Sequence, residues 1–596
     1  MPISLSSFTP ARRPLITRAR LLRPSLISAF GIAWLLSGER AAAQDSARTR
    51  EATRDSTADT VSCAGTVVRA RELRRHPPAA VRSAPSWARG VVKQLIQHRT
   101  SRESAITPFL LLETGDDCTS FEVEESARLL RAQPYISDAT VRAIPDGAGG
   151  VTLDVETEDE IPVVIDGRLR GATPTRIRYG SNNVFGSGIY GHLQWEQGFA
   201  FRDGWSARVT HFHAFRRPFI ASVSAARRPL GEELTLSLGQ PWLTEFQRHA
   251  FHTEVRHDIR YPEFIRPSGD PLSISVKRRF WSAGAVTRIG GRSAGTFGGV
   301  LFTHDRIEPA AEGIVVTDDG IEATDDPTLD ARYARQEATR FGPVIGARAL
   351  SYTQATGFDA LEGTQDIARG IQAALFGGLG FGSGSDDMVS LDVYAGAGGA
   401  RSFVGTRMEW QAERGGGEWR NLVGSGRLAW YLKASEERTL ITSLELSAAW
   451  REDVPYQLLM RHRAGGLRGY GSSRLAGGQR LVLRGEHRWL LPGFRSFLGT
   501  GVAAFADVGR MWAGDVPFGR TVTRPSVGVS LLAAIPRDSR RLLRADLALP
   551  LVRGQGSGSY ELRFQYTRPL RGFWQTPSDL SSARAAAPAS RIFGWP

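Results

Sequence analysis

Leu440-Ile441-Thr442-Ser443-Leu444-Glu445-Leu446-Ser447-Ala448-Ala449-Trp450 decides how this chain folds. Leu440, Thr442, Leu444, Leu446, Ala448 and Trp450 fall on one face, and Ile441, Ser443, Glu445, Ser447 and Ala449 on the other. Successive side chains of a strand point to opposite sides, so this is a strand with one apolar and one charge-bearing face. The pattern recurs. Val389, Leu391 and Val393 alternate with Ser390, Asp392 and Tyr394; Tyr560, Leu562, Phe564 and Tyr566 alternate with Glu561, Arg563, Gln565 and Thr567. Charge at every second position does not suit the core of a two-sided sandwich. It suits a wet lumen, with the intervening residues facing lipid. Such a sheet must close on itself, because an open edge in hydrocarbon leaves backbone groups unpaired.

Working outward, alternating segments broken by Gly, Asp, Asn and Ser run over residues 161–570. At roughly 25 residues per strand with its connection, that length predicts a transmembrane antiparallel β-barrel of about 16 strands. A β-propeller is the main soluble rival, but no repeat of about 40–50 residues is visible. Hydrophobic content of 41% and a mean hydropathy of −0.23 exclude a polytopic helical membrane protein. They do not exclude a barrel, whose membrane face is hidden in an average. Glu308 to Asp330 is acidic and reads as an external loop without strict calcium-loop spacing. Residues 571–596, rich in Ala, Ser, Pro and Arg, have no strand pattern and are expected to form a disordered tail.

Upstream of the barrel, residues 1–43 read as a secretory signal peptide. Arg12, Arg13, Arg18, Arg20 and Arg23 precede the apolar run Leu26 to Leu36, and Ala41-Ala42-Ala43 offers a cleavage site. Residues 44–60 read as a flexible lead. Residues 61–160 mix α and β patterns in one small α+β domain. Strands are predicted over 66–73, 139–144 and 151–156 and helices over 87–97 and 120–133, with Ser120 as cap of the latter. Of the net charge of +14, the first 43 residues supply five, leaving +9. The arginines are scattered along strands, which favours a lumen and a lipid interface over nucleic acid. The two cysteines, Cys63 and Cys118, are either bonded across an exported domain or two unpaired small residues.

Catalytic and metal motifs give way to plainer readings. Gly291-Arg292-Ser293-Ala294-Gly295 has the spacing of a nucleophile elbow, but a strand follows where a helix is needed, so it reads as a hairpin turn. Gly377 to Gly384 is likewise followed by a strand and not by the helix of a phosphate loop. His211 with His213, and His252 with Glu254, share strand faces and read as polar lumen or loop residues. No acid–base or nucleophile–base pair assembles, so neither an enzyme, a cofactor nor a metal site is expected.

One loop carries more information. Gly465-Gly466-Leu467-Arg468-Gly469-Tyr470 is followed by Leu483-Arg484-Gly485-Glu486-His487-Arg488 and by Phe505-Ala506-Asp507-Val508-Gly509. Alternation turns Glu486 and Asp507 to the polar face, close in sequence to a loop arginine flanked by glycines, which let a backbone fold into a narrow space. These motifs resemble those of the BamA/TamA-type outer-membrane assembly and translocation superfamily. Arg468, Gly469 and Tyr470 match its inward-folding loop, Glu486 its Glu-x-Arg strand and Asp507 its Phe-x-Asp-x-Gly strand. Tyr179 to Gly188 resembles the first barrel strand and its turn, and Ala545 to Pro550 the penultimate strand. Leu111 to Gly115, Glu124 to Leu130 and Tyr135-Ile136 resemble one POTRA domain, where assembly factors often carry several.

The resemblance implies an outer-membrane protein with its POTRA domain in the periplasm. It implies insertion or translocation of other polypeptides without covalent chemistry. Clients would be unfolded outer-membrane or secreted polypeptides, with outer-membrane lipids and periplasmic accessory proteins as further partners. Arg468 would be held by Glu486 and Asp507. A lateral seam would lie between a first strand (175–183, with Tyr179 and Asn183) and a last strand (559–567, with Tyr560, Phe564 and Tyr566). The alternatives are a dedicated secretion transporter, a passive porin and a lipid-related barrel. A transporter would carry a plug helix before the domain, for which residues 44–60 are a poor match.

Overall fold

The computed structural model describes residues 63, 65–82 and 99–593, with breaks at 171–172, 269–270, 291–294, 318–319, 327–328, 330–331, 383–385, 462–464, 492–497, 555–557, 568–573, 575 and 585–590. The signal, the lead and the expected helix over 87–97 lie outside the described residues.

The small domain is a three-stranded sheet backed by one helix. β1 (Val68–His76) runs parallel to β3 (Val151–Asp159), and β2 (Ile136–Pro145) pairs antiparallel with the other side of β3. β1 and β2 are thus the sheet edges. Val151, Leu153 and Val155 turn one face into a core with Val68, Leu130 and Ile136, as the alternation at 151–156 predicts. The helix Ser120–Arg131 is capped by Thr119 and not Ser120: the Thr119 Oγ1 accepts from Glu122 N at 3.2 Å and donates to Glu122 Oε2 at 2.6 Å. Cys63 and Cys118 are bonded, with Cα atoms 5.5 Å apart, tying the start of the domain to that helix.

The wall of the barrel is one antiparallel sheet. It begins with β4 (Val163–Arg170), β5 (Thr173–Ser181), β6 (Ile189–Phe199), β7 (Arg202–Ala214), β8 (Phe219–Arg227), β9 (Glu232–Gln240) and β10 (His249–Arg260). It continues with β11 (Glu263–Ile265), β12 (Pro271–Ile289), β13 (Gly295–Val316), β14 (Ile321–Thr324), β15 (Gln336–Ala355) and β16 (Gln365–Phe381). β17 (Asp387–Gly398), β18 (Ser402–Gly415), β19 (Glu418–Ser435) and β20 (Arg438–Trp450) follow. A loop holding the small pair β21 (Leu458–Leu459) and β22 (Ala476–Gly477) then leads to β23 (Gln479–Leu491), β24 (Gly499–Trp512), β25 (Val522–Ala534), β26 (Leu542–Pro550) and β27 (Glu561–Thr567). β27 closes the ring against β4.

Setting aside the short β11 and β14, twenty strands make the wall among the described residues, where the sequence length predicted about sixteen. The difference lies in the connections. Gly416-Gly417 alone joins β18 to β19, and Glu436-Glu437 alone joins β19 to β20, so less chain is spent per strand than expected. The acidic stretch from Glu308, expected as a loop, is partly strand: β13 runs on to Val316 and turns back through β14. Strand length is uneven around the ring. β4, β5, β26 and β27 have 8, 9, 9 and 7 residues, whereas β12, β13 and β15 have 19, 22 and 20.

The wall is apolar outside and charged inside. Leu444 and Leu446 are 37% and 41% exposed, while the intervening Glu445 is 6% exposed. Trp205, Val209, Leu234, Leu236, Leu531 and Leu547 continue the outer face. Inside-out burial of this extent is stable where the outer solvent is hydrocarbon. No described helix is long and apolar enough to cross a membrane.

The domain seats on the rim where β4 begins. Arg131 forks onto Asp366 at 2.8 and 2.9 Å, and Arg128, paired with Glu125, donates to Leu243 O at 2.6 Å and lies 4.0 Å over the Tyr352 ring. Asn182 Nδ2 donates to Pro134 O at 2.8 Å, and Asn183 Nδ2 to Ser101 Oγ at 2.8 Å.

Two expectations are corrected by this architecture. The seam lies one strand earlier than expected: β4 precedes β5, so Tyr179 sits on the second strand with its ring on the outer face, and Asn183 is buried at the domain joint. β4 was hard to read because Gly167 and the arginines at 168 and 170 interrupt its alternation. The stretch after β27 is not a loose tail. Trp574, Leu580, Arg584, Ile592 and Phe593 are buried, and Ser578–Ala583 is helical. These anchors pack singly against a curved wall, so no sequence period marks them.

Candidate functional site in the barrel lumen

The connection from β20 to β23 turns into the lumen instead of standing out from the rim. It has an apolar core of its own: Tyr456, Leu458, Met460, Leu467 and Tyr470 are at most 1% exposed and pack on Val423, Ala449, Val482 and Met511 of the wall. Two glycines make the fold possible. A Cβ at Gly466 would overlap the Met460 carbonyl, and Gly469 has φ +85°, the left-handed region open to glycine.

That backbone places Arg468 between two wall strands. Its Nε and Nη2 donate to the two oxygens of Asp507 at 2.6 and 2.5 Å, and its Nη1 donates to Glu486 Oε2 at 2.7 Å. The guanidinium lies 3.6 Å over the Phe505 ring, and the residue is 5% exposed. The planar fork gives Asp507 two parallel bonds and Glu486 a third, a bidentate fit that the point charge of an ammonium does not reproduce. The structure therefore brings Arg468, Glu486 and Asp507 together, on the faces that alternation assigned.

The network goes further than the sequence reading. Glu486 also accepts from Arg488 at 2.6 Å and from Arg544 of β26 at 2.7 and 2.9 Å. Arg544 continues to Asp546, which accepts from Arg563 of β27 at 2.5 Å. Glu561, at the start of β27, accepts from Gly469 N at 2.8 Å and Gly471 N at 3.1 Å. Tyr470 OH donates to Pro525 O at 2.9 Å and lies 3.2 Å from Val552 O. The loop is thus bonded to the strand that forms the seam. The signal for Glu561 and Arg563 was their shared face on the last strand; for Arg544 and Asp546 it was an i, i+2 pair on the polar face of β26. Alternation reports a face and leaves the partner unstated.

At the seam, Tyr560 and Phe564 are exposed on the outside, and the side chain of Tyr566 lies outside the described residues. A cavity of about 500 Å³ runs from β4 and β27 across β26 to β25 and β24, lined by Ile165 to Gly167, Phe564, Gln565, Leu543 to Ala545, Leu531 to Ala533, Thr500 and Gly501. The histidines singled out by the sequence lie elsewhere: His213 Nε2 is 2.8 Å from Ser187 O near the domain joint, and His252 lies beside Glu254 on β10. Among the described residues no group of three metal-ligating side chains comes together.

No protein-family model matches the chain, and no curated protein matches it. Solved structures do. The chain is similar to BamA from Haemophilus ducreyi lacking POTRA domains 1-3, with 13% identity and a TM-score of 0.37 over 84% of each chain. It is similar to CdiB from Acinetobacter baumannii, with 10% identity and a TM-score of 0.36 over 84% of this chain and 73% of that one. CdiB from Escherichia coli gives 10% identity and a TM-score of 0.36, over 87% of this chain and 92% of the other.

Proposed function

We propose that this chain is an outer-membrane protein that inserts or translocates other polypeptides, with client strands pairing at the β27–β4 seam. The observation that carries this reading is the bond between the Arg468 loop and the last strand: Glu561 of β27 accepts two loop amides. An inward loop fastened to a seam strand couples the lumen to the opening of the wall. A client pairing there keeps its backbone groups satisfied in hydrocarbon. In this reading the small domain is POTRA-like and periplasmic, and its edge strands β1 and β2 receive extended clients by strand addition. A passive pore is opposed by the lumen itself, which the loop and the C-terminal segment enter.

A photoreactive residue in place of Leu562, which faces outward on β27, tests the proposal in native membranes. Capture of outer-membrane or secreted polypeptides in transit is expected. Capture of nothing but lipid and the chain's own β4 would refute it.

A further inference from the structure

The described residues beyond β27, 574, 576–584 and 591–593, lie in the lumen against the wall opposite the seam. Trp574 O accepts from Arg407 at 2.7 Å, and Thr576 donates to Glu409 at 2.7 Å. Asp579 accepts from Arg480 at 2.7 Å and from Leu459 N of the Arg468 loop at 3.1 Å, while Leu580 is buried in that loop's apolar core. Arg584 pairs with Glu409 and donates to Ser425 Oγ at 3.0 Å, and its carbonyl accepts from Arg278 at 2.9 Å. Ile592 O accepts from Trp242 N at 3.1 Å, and Phe593 packs 5.3 Å from the Phe297 ring.

Two features of the wall mark it as a cradle for this stretch. An inward glycine lies under three of the four apolar anchors, Trp574, Ile592 and Phe593, while Leu580 sits in the loop's apolar core. A Cβ at Gly405 would come within 3.1 Å of the Trp574 ring, one at Gly284 within 2.9 Å of Ile592 and one at Gly346 within 3.4 Å of Phe593, and each would also crowd the wall, at Phe403, Leu301 and the Ala373 carbonyl. Glycine inside a strand weakens the strand and marks close approach by another group. Secondly, the wall charges that hold the stretch have wall partners as well. Glu409 pairs with Arg407, Arg278 with Asp305, and Arg480 lies 3.8 Å from Glu445. Departure of the stretch therefore strands none of these charges in a dry site, and water can fill the space.

We propose that the lumen carries a peptide-binding groove, that its resident occupant is the chain's own C-terminal segment, and that the occupant is displaceable. The ligand class is a peptide with an aromatic anchor, a central arginine and a terminal aliphatic–aromatic pair. Bound, it closes the lumen and braces the Arg468 loop through Asp579 and Leu580. This does not depend on client pairing at the seam, which the capture experiment tests separately.

The test uses the full-length protein with a protease site inserted between Thr567 and Trp574, folded intact, reconstituted in a planar bilayer and then cut. Cutting and washing should release the segment and raise ion conductance. A synthetic peptide of residues 574–593 should return conductance to the uncut level, and the same peptide carrying Arg584→Glu and Phe593→Ala should not. A second variant, Arg584→Glu with Phe593→Ala in the uncut chain, removes two of the segment's anchors and should open the uncut protein. A segment that stays bound through washing, a release that leaves conductance unchanged, equal block by both peptides, or an uncut double variant that stays closed would each overturn the proposal.

Discussion

Replacing Arg468 by alanine puts the luminal network under the sharpest strain. Its two carboxylate partners are not equally dependent on it. Glu486 keeps Arg488 and Arg544, whereas the Asp507 side chain, 0% exposed, loses a bidentate partner. Removing one member of a buried pair costs about 3–5 kcal/mol, and access of water to part of the lumen places this case near about 3. That corresponds to roughly a hundredfold rise in the fraction of loops that are detached at any moment. Protease cleavage of the loop in intact cells reads that fraction when reclosing is fast. Arg468→Ala should therefore be cut roughly a hundredfold faster than the parent, and Arg468→Ala with Asp507→Ala more slowly than Arg468→Ala alone, because the orphaned carboxylate is gone. Asp507→Arg should resemble Arg468→Ala. Equal cleavage of the parent and all three variants would refute the reasoning and make the segment an ordinary rim hairpin.

Three further outcomes are expected. Glu561→Gln weakens the two amide contacts at Gly469 and Gly471; losing charge-assisted bonds of this kind costs about 1.5–3 kcal/mol, and crosslinking yield between β27 and β4 across the seam should fall. Cys118→Ser opens a bridge that spans 55 residues, for which loop entropy gives about 4 kcal/mol; the small domain should become protease-sensitive while the barrel stays resistant, and denatured, unreduced parent should show no free thiol. Burial pushes the Glu125 carboxyl up, but the hydrogen bond and charge of Arg128 outweigh it and leave the group below its ordinary value. A carboxyl so lowered contributes stability above its unfolded pKa that is lost as pH falls through the folded one, so hydrogen exchange in 120–131 should quicken below about pH 4 in the parent and lose this acid dependence in Glu125→Gln.

Parity made the barrel legible. Leu444, Glu445 and Leu446 report which side is wet without any knowledge of neighbours, and the structure places them accordingly. Strand number was less legible because it depends on connection length, and Gly416-Gly417 shows how little chain a hairpin can use. β4 escaped notice where Gly167 interrupts the pattern. At the lumen, glycine-flanked Arg468 and the two inward carboxylates could be found in sequence, because each carries a local signature. Arg544, Asp546 and Glu561 could not be assigned roles, since their partners sit on strands set by closure of the ring. The C-terminal anchors Trp574, Arg584 and Phe593 are legible only against the wall they touch.

The uneven height of the wall has a consequence for the lipid around it. A barrel strand crosses a bilayer with about 9–11 residues at a tilt of about 45°. The described span of β27 has 7 residues and that of β4 has 8; at about 3.4 Å per residue and that tilt, they cover less than about 20 Å of a hydrocarbon layer near 30 Å. Acyl chains packed against this arc must splay or shorten their layer, whereas β13 and β15 overreach it. In the proposed outer-membrane setting, the bilayer beside β27 and β4 is under elastic load before any client arrives, and part of the work of opening the membrane would fall to the lengths of two strands.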